Sequence, residues 1–135
     1  MTLASTGVEA GEVREAVVVD DLSRTRIVQY AGASGDYNPL HTDERFAREV
    51  AGYPGVFAHG MLTMGLTARV LTDWVGEDRL LSYGVRFTTQ VWPGDRLTTT
   101  VTATAVTDGV AKFELVTKNQ DGAIVVSGTA TAEVD

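Results

Sequence analysis

A chain of 135 residues has the length of one domain and can bury most of its unfolded surface around a single core. With 44% hydrophobic and 21% charged residues its composition is that of an ordinary globular protein, and no apolar run approaches the length of a membrane span. Eleven Lys and Arg against 18 Asp and Glu give a net charge of −7 with the cations scattered, which argues against nucleic acid as a partner, and the absence of cysteine excludes a disulfide framework, a thiolate metal site and a thiol nucleophile.

Residues Met1 to Gly11 are small and polar without periodicity and read as a frayed end. Met1 to Asp20 lacks a basic start followed by an apolar stretch, so no secretory signal is visible and the expected location is cytoplasmic. Glu12 to Asp20 reads as a first strand around Ala16 to Val19. Asp21 or Ser23 caps a helix to about Ala31 that carries Leu22, Ile27, Tyr30 and Ala31 on one side. Gly32 to Pro39 is turn chemistry, and Thr42 is placed to cap a short helix from Asp43 to about Val50, with Asp43 and Glu44 in its first turn.

The most apolar helix follows a loop, from Gly60 to about Val75. Leu62, Leu66 and Val70 recur every fourth residue while Met61, Met64 and Leu71 widen the stripe, which predicts that most of it is buried. From Leu80 the period becomes two: Val85, Phe87, Thr89 and Val91 alternate along a strand expected to stop at Pro93-Gly94. Asp108-Gly109 and Asp121-Gly122 are two-residue hairpin signals, so Leu97 to Thr107, Val110 to Gln120 and Ala123 to Val134 form an expected meander. Its apolar face needs a cover, and the Gly60 helix is the only segment large enough, so the expected class is α+β with an antiparallel sheet wrapped around a central helix.

Both histidines sit among turn residues. Asp36 and His41 flank the Asn38-Pro39 turn, which can fold a carboxylate and an imidazole toward one point where they hold and activate a water. Such an Asp is as readily a turn cap and such a His a packing residue, so the segment alone leaves both readings open. At Ala58-His59-Gly60 a glycine opens the apolar helix, whose first N–H groups are unpaired at the positive end of the dipole and suit a carbonyl oxygen gaining charge. His59 has the weaker functional claim of the two. The two histidines, eighteen apart, and Asp36 could make a two-His-one-carboxylate set but lack the short spacing that specifies a site, so no metal is expected, while Ser34 has no nucleophile elbow and Gly32 and Gly35 form no dinucleotide or phosphate fingerprint.

The run Tyr30 to Asp43, Tyr-Ala-Gly-Ala-Ser-Gly-Asp-Tyr-Asn-Pro-Leu-His-Thr-Asp, resembles the signature of the MaoC-like dehydratases and (R)-specific enoyl-CoA hydratases. Ala58 to Gly65 and Arg86 through Asp95 are similar to the family's helix start and later strand, and the first half is similar to its (3R)-hydroxyacyl-ACP dehydratase members, with a shorter passage between Phe87 and Leu97. This resemblance implies a hot-dog fold over a single domain. It implies Asp36 and His41 as the catalytic pair, the Gly60 backbone N–H on the thioester carbonyl, and support from Ser34, Asn38 and His59. It implies no cofactor, an acyl-CoA or acyl-ACP substrate, and a homodimer or a heterodimer with a related subunit. A hot-dog thioesterase, a non-catalytic acyl-binding subunit and a plain structural dimer are the rivals.

Overall fold

A computed structural model describes residues 7–135. In chain order the elements are β1 (Val13–Val19), α1 (Arg24–Ser34), α2 (Pro39–Thr42), a π-helical turn at Phe46–Val50, α3 (Gly60–Val75), a 3-10 turn at Glu77–Arg79, β2 (Leu80–Phe87), β3 (Leu97–Thr107), β4 (Val110–Lys118) and β5 (Ile124–Glu133). The five strands form one antiparallel sheet in the order β1-β3-β4-β5-β2. The sheet curls over α3, the hot-dog arrangement.

Period-two alternation places the core. Leu97, Thr99, Val101 and Ala103 of β3 and Ala111, Phe113, Leu115 and Thr117 of β4 are buried, and every second residue turns away. Against this face α3 lays Leu62, Leu66, Val70, Leu71, Trp74 and Val75. The packing divides along the helix: Val70 to Val75 meet Phe113 and Leu115, while Leu62 and Leu66 meet Leu22, Ile27, Val91 and Val126. Fully burying a Leu or Val contributes about 1.5–3 kcal/mol, so α3 is fixed chiefly by this contact. Tyr83 of β2 adds a polar anchor by donating to the Met64 carbonyl at 2.7 Å, and burial pushes its phenol up to about 12. Three buried threonines, Thr67, Thr99 and Thr117, join helix and sheet through their hydroxyls.

Several boundaries differ from expectation. Of the end expected to fray, residues 1–6 lie outside the described residues, whereas Val8 is only 5% exposed in the core and Gly11 N–H bonds the Ala103 carbonyl. Helix α1 runs on to Ser34, where Gly35 at φ 77° takes the left-handed position that an L side chain disfavours. The short helix expected from Asp43 ends at Val50 as expected, but its start differs. Asn38 caps a turn that begins at Pro39, and Asp43 rather than Thr42 accepts the Phe46 N–H ahead of the π-turn. Met61 is 58% exposed, because the buried stripe of α3 covers little more than half of its circumference.

Strand β2 stops at Phe87, short of Pro93. Thr88 turns onto β5 through its N–H to the Val125 carbonyl and its hydroxyl to the Ile124 carbonyl, and the chain then crosses from one sheet edge toward the other. The Asp108-Gly109 hairpin has both residues at positive φ, as a two-residue turn requires. At the next hairpin only Gly122 does, and Asn119 closes a longer loop by accepting from Asp121 and Ala123. Among the described residues no helix is long and apolar enough to cross a membrane.

Candidate active site

The loop between α1 and α2 is built from three successive side-chain turns. Ser34 Oγ accepts the Asp36 N–H at 3.2 Å, Asp36 Oδ1 accepts the Asn38 N–H at 3.2 Å, and Asn38 Oδ1 accepts the Leu40 N–H at 3.0 Å. Each short polar side chain replaces the partner that the irregular backbone lacks. Ser34 and Asn38 therefore hold the loop, Asp36 is exposed at its apex, and Pro39 starts the helical turn that carries His41 inward.

His41 is 9% exposed and its Nδ1 lies 2.6 Å from the Phe57 carbonyl oxygen. A carbonyl only accepts, so Nδ1 carries the hydrogen and Nε2 keeps its lone pair. Burial holds His41 below its ordinary value, outweighing the opposing bond to Phe57, with the neighbouring His59 lowering it further and Asp36 raising it. The ring is thus kept neutral and able to accept a proton.

Asp36, His41 and His59 each bring one oxygen or nitrogen within 4.8 Å of the others. A water bonded to two such atoms at about 2.8 Å with a tetrahedral angle spans about 4.6 Å, so the carboxylate and an imidazole nitrogen can share one water. A metal ion fits less well. The two imidazoles stack with centroids 3.9 Å apart and planes 24° apart, so their in-plane lone pairs run nearly side by side, whereas metal–nitrogen bonds of about 2 Å require lone pairs that converge on one point.

His59, at 2% exposure, ends the preceding loop, and its side chain does not cap α3. The first amides of the helix, beginning with Gly60, therefore keep their capacity to meet an oxygen. Gly60 forms part of the wall of a cavity of about 300 Å³ together with Phe57, Thr63, Phe87 and Gln90. Asp36 and His41 are not in its wall, but Phe57, whose carbonyl His41 grips, is. The half-exposed Phe87 ring lies over Gly60, and a Cβ there would come within 3.2 Å of two of its carbons.

The structure thus brings Asp36, His41 and His59 to one place beside Gly60, with Ser34 and Asn38 beneath the loop. Glu44 and Phe87 were missed as site residues. Glu44, read only as a first-turn acid, accepts from Arg24 Nε at 2.5 Å and from the Val56 N–H at 3.2 Å, tying α1 to the loop ahead of α3. The bond from Arg24 holds its carboxyl below the usual range. No local spacing signals either role, because the partners of Glu44 lie 20 and 12 residues away and Phe87 reads as an ordinary strand residue.

Residues 5–124 match the family described as MaoC like domain, which extends the likeness well into the carboxy-terminal meander. The 3-hydroxyacyl-thioester dehydratase Y of Mycobacterium tuberculosis is 39% identical over 93 residues, 67% of this chain and 31% of that protein. The chain spans about a third, or less, of the length of the curated relatives it matches. Among solved structures, the (R)-hydratase from A. caviae involved in PHA biosynthesis superposes with a TM-score of 0.84 at 27% identity, over 95% of this chain and 98% of that one. The ChsH1-ChsH2 complex from Mycobacterium tuberculosis, an assembly of two different components, gives 0.81 at 28% identity over 94% and 98%.

Proposed function

This chain belongs to the MaoC-like domain family, and from that premise we propose that it interconverts trans-2-enoyl thioesters, on CoA or acyl carrier protein, with (3R)-hydroxyacyl thioesters. The observation that carries the reading is the approach of an Asp36 carboxylate oxygen and a His41 nitrogen to within 4.8 Å beside the uncapped start of α3. The printed names of the dehydratase and the (R)-hydratase that resemble it support the same chemistry.

In hydration the thioester carbonyl rests on the Gly60 N–H, which stabilises the enolate oxygen as it forms. One water is held by both members of the pair: the Asp36 carboxylate accepts one hydrogen and orients it, and His41 Nε2 accepts the other. The water oxygen bonds to C3 as the C2–C3 π electrons move onto the carbonyl oxygen. His41 then returns its proton to C2, the carbonyl re-forms, and the imidazole is neutral again. Dehydration runs the same steps backward. Ser34 and Asn38 keep Asp36 at the loop apex throughout.

The test uses crotonyl-CoA, following the enoyl absorbance and thiol release in parallel. Loss of absorbance without free thiol supports the proposal. Thiol release instead would identify a thioesterase, and binding with neither change an acyl-binding subunit. We further propose assembly as a dimer of like or related subunits, supported by the exposed Leu81 and Phe87 on the edge strand β2 and by the two-component complex among its structural neighbours. Sedimentation velocity showing a monomer at micromolar concentration, alone and with any co-purifying subunit, refutes that part.

A further inference from the structure

The mechanism above leaves His59 idle, yet this side chain touches three parts of the site. Its Nε2 lies 2.9 Å from the main-chain carbonyl of Asp36, 23 residues away, so one bond joins the loop bearing the carboxylate to the residue just before α3. One face of its ring stacks on His41, and Tyr30 of α1 meets it edge-on at 4.9 Å and 64°. Because the Asp36 carbonyl can only accept, Nε2 carries the hydrogen. Nδ1 is left buried with no hydrogen-bond partner among the described residues.

We propose that His59 is a positioning residue which, through its Nε2–H, clamps the Asp36 main chain to the start of α3 and holds the His41 ring in place to receive the proton of water. The inference rests on the Asp36–His41 reading above and gives that pair its third support. The titratable groups facing His59 are Tyr30 from α1, Asp36 from the loop and His41 from α2. A proton on Nδ1 would meet no acceptor there and would set a charged ring against the one that must take up the proton of water. A purely space-filling His59 would be replaced by any side chain of similar bulk, whereas the clamp needs a donor where Nε2 stands. Glutamine keeps an N–H at similar reach, and leucine fills space without one.

The experiment compares the full chain with its His59→Gln and His59→Leu variants by two readouts. The chain has only two histidines, so His59→Gln leaves a single imidazole signal to follow by NMR. In the unaltered protein His59 carries a hydrogen on Nε2, and in His59→Gln the His41 titration midpoint rises, because the neighbouring imidazole whose charge lowers it has gone. In the crotonyl-CoA assay His59→Leu lowers kcat about tenfold or more with KM changed less than about threefold, and His59→Gln recovers most of the loss. An Nδ1–H tautomer for His59, an unmoved His41 midpoint in His59→Gln, or full turnover in His59→Leu overturns the inference. If the unaltered protein fails to hydrate crotonyl-CoA the proposed function falls, and the NMR titration still decides the role of His59.

Discussion

Replacing Thr117 by valine removes the middle of the buried hydroxyl chain that joins α3 to the sheet. Thr117 Oγ1 lies 2.7 Å from that of Thr67 on α3 and 2.6 Å from that of Thr99, its cross-strand partner on β3, and all three residues are fully buried. Valine has nearly the same shape, so little cavity forms, but two hydroxyls lose their partner at once. Each stranded buried hydroxyl costs about 1–3 kcal/mol. Thr67 has an escape, since a helical threonine can turn to the carbonyl one turn earlier, while Thr99 on its strand has none. The expected loss is about 2–4 kcal/mol for Thr117→Val, against about 1 kcal/mol for Thr67→Val, which leaves the Thr99–Thr117 bond intact. Replacing all three by valine strands nothing and brings stability back near the starting value. Urea unfolding at one fixed protein concentration measures the series. A Thr117→Val loss no larger than that of Thr67→Val, or a triple variant as poor as the sum of the singles, refutes the hub.

Gly128→Ala places a methyl group onto the Gly84 carbonyl oxygen and within 2.7 Å of Val85 Cγ1, so β2 must shift away from β5. We expect a loss of about 2 kcal/mol or more in urea unfolding, since backbone rather than a flexible side chain must give way. Gly60→Ala meets only the half-exposed Phe87 ring, which can yield, so stability stays within about 1 kcal/mol, yet the methyl narrows the wall beside the proposed carbonyl contact and kcat/KM falls about tenfold or more. For pH, burial depresses His41 from its ordinary 6.5, and the neutral ring is the active form, so kcat/KM stays level through pH 6.5 and falls only as pH drops through the depressed value. The same depression means that the unfolded chain binds the proton more readily. The stability that neutral His41 contributes is present above pH 6.5 and is lost as pH falls toward its folded value, which urea midpoints across that range would show.

What the sequence disclosed was local. Gly60–Val75 came through at both ends, because a four-residue apolar recurrence between a glycine and Trp74-Val75-Gly76 leaves little freedom. Leu97–Thr107 was equally legible from its alternating threonines. Asp36 and His41 were read together because a single turn separates them, and one atom of each lies within 4.8 Å of the other. Contacts between distant segments left no such trace. Val91 continues the alternation of Val85 and Phe87, but it has left the sheet, packs beside Leu62 and Leu66, and offers its carbonyl to Ala58. A strand's alternation says which face is buried and nothing about which strand lies next to it, so the crossing from β2 to β3 was invisible. His59 read as the lesser histidine because its partners are Asp36, 23 positions earlier, and a ring stack that no spacing rule encodes. Met61 was misplaced for another reason: a helix with apolar residues all around leaves the choice of buried side to its neighbours.

The most direct test of the account is the rate of crotonyl-CoA hydration by Asp36→Asn beside the unaltered protein, with circular dichroism confirming that both are folded. Asparagine keeps the size of the side chain and an oxygen to accept the Asn38 N–H, so the loop should hold while the charge that orients the water is gone. The account predicts a fall in kcat of about a hundredfold or more. Turnover equal to that of the unaltered protein would contradict it.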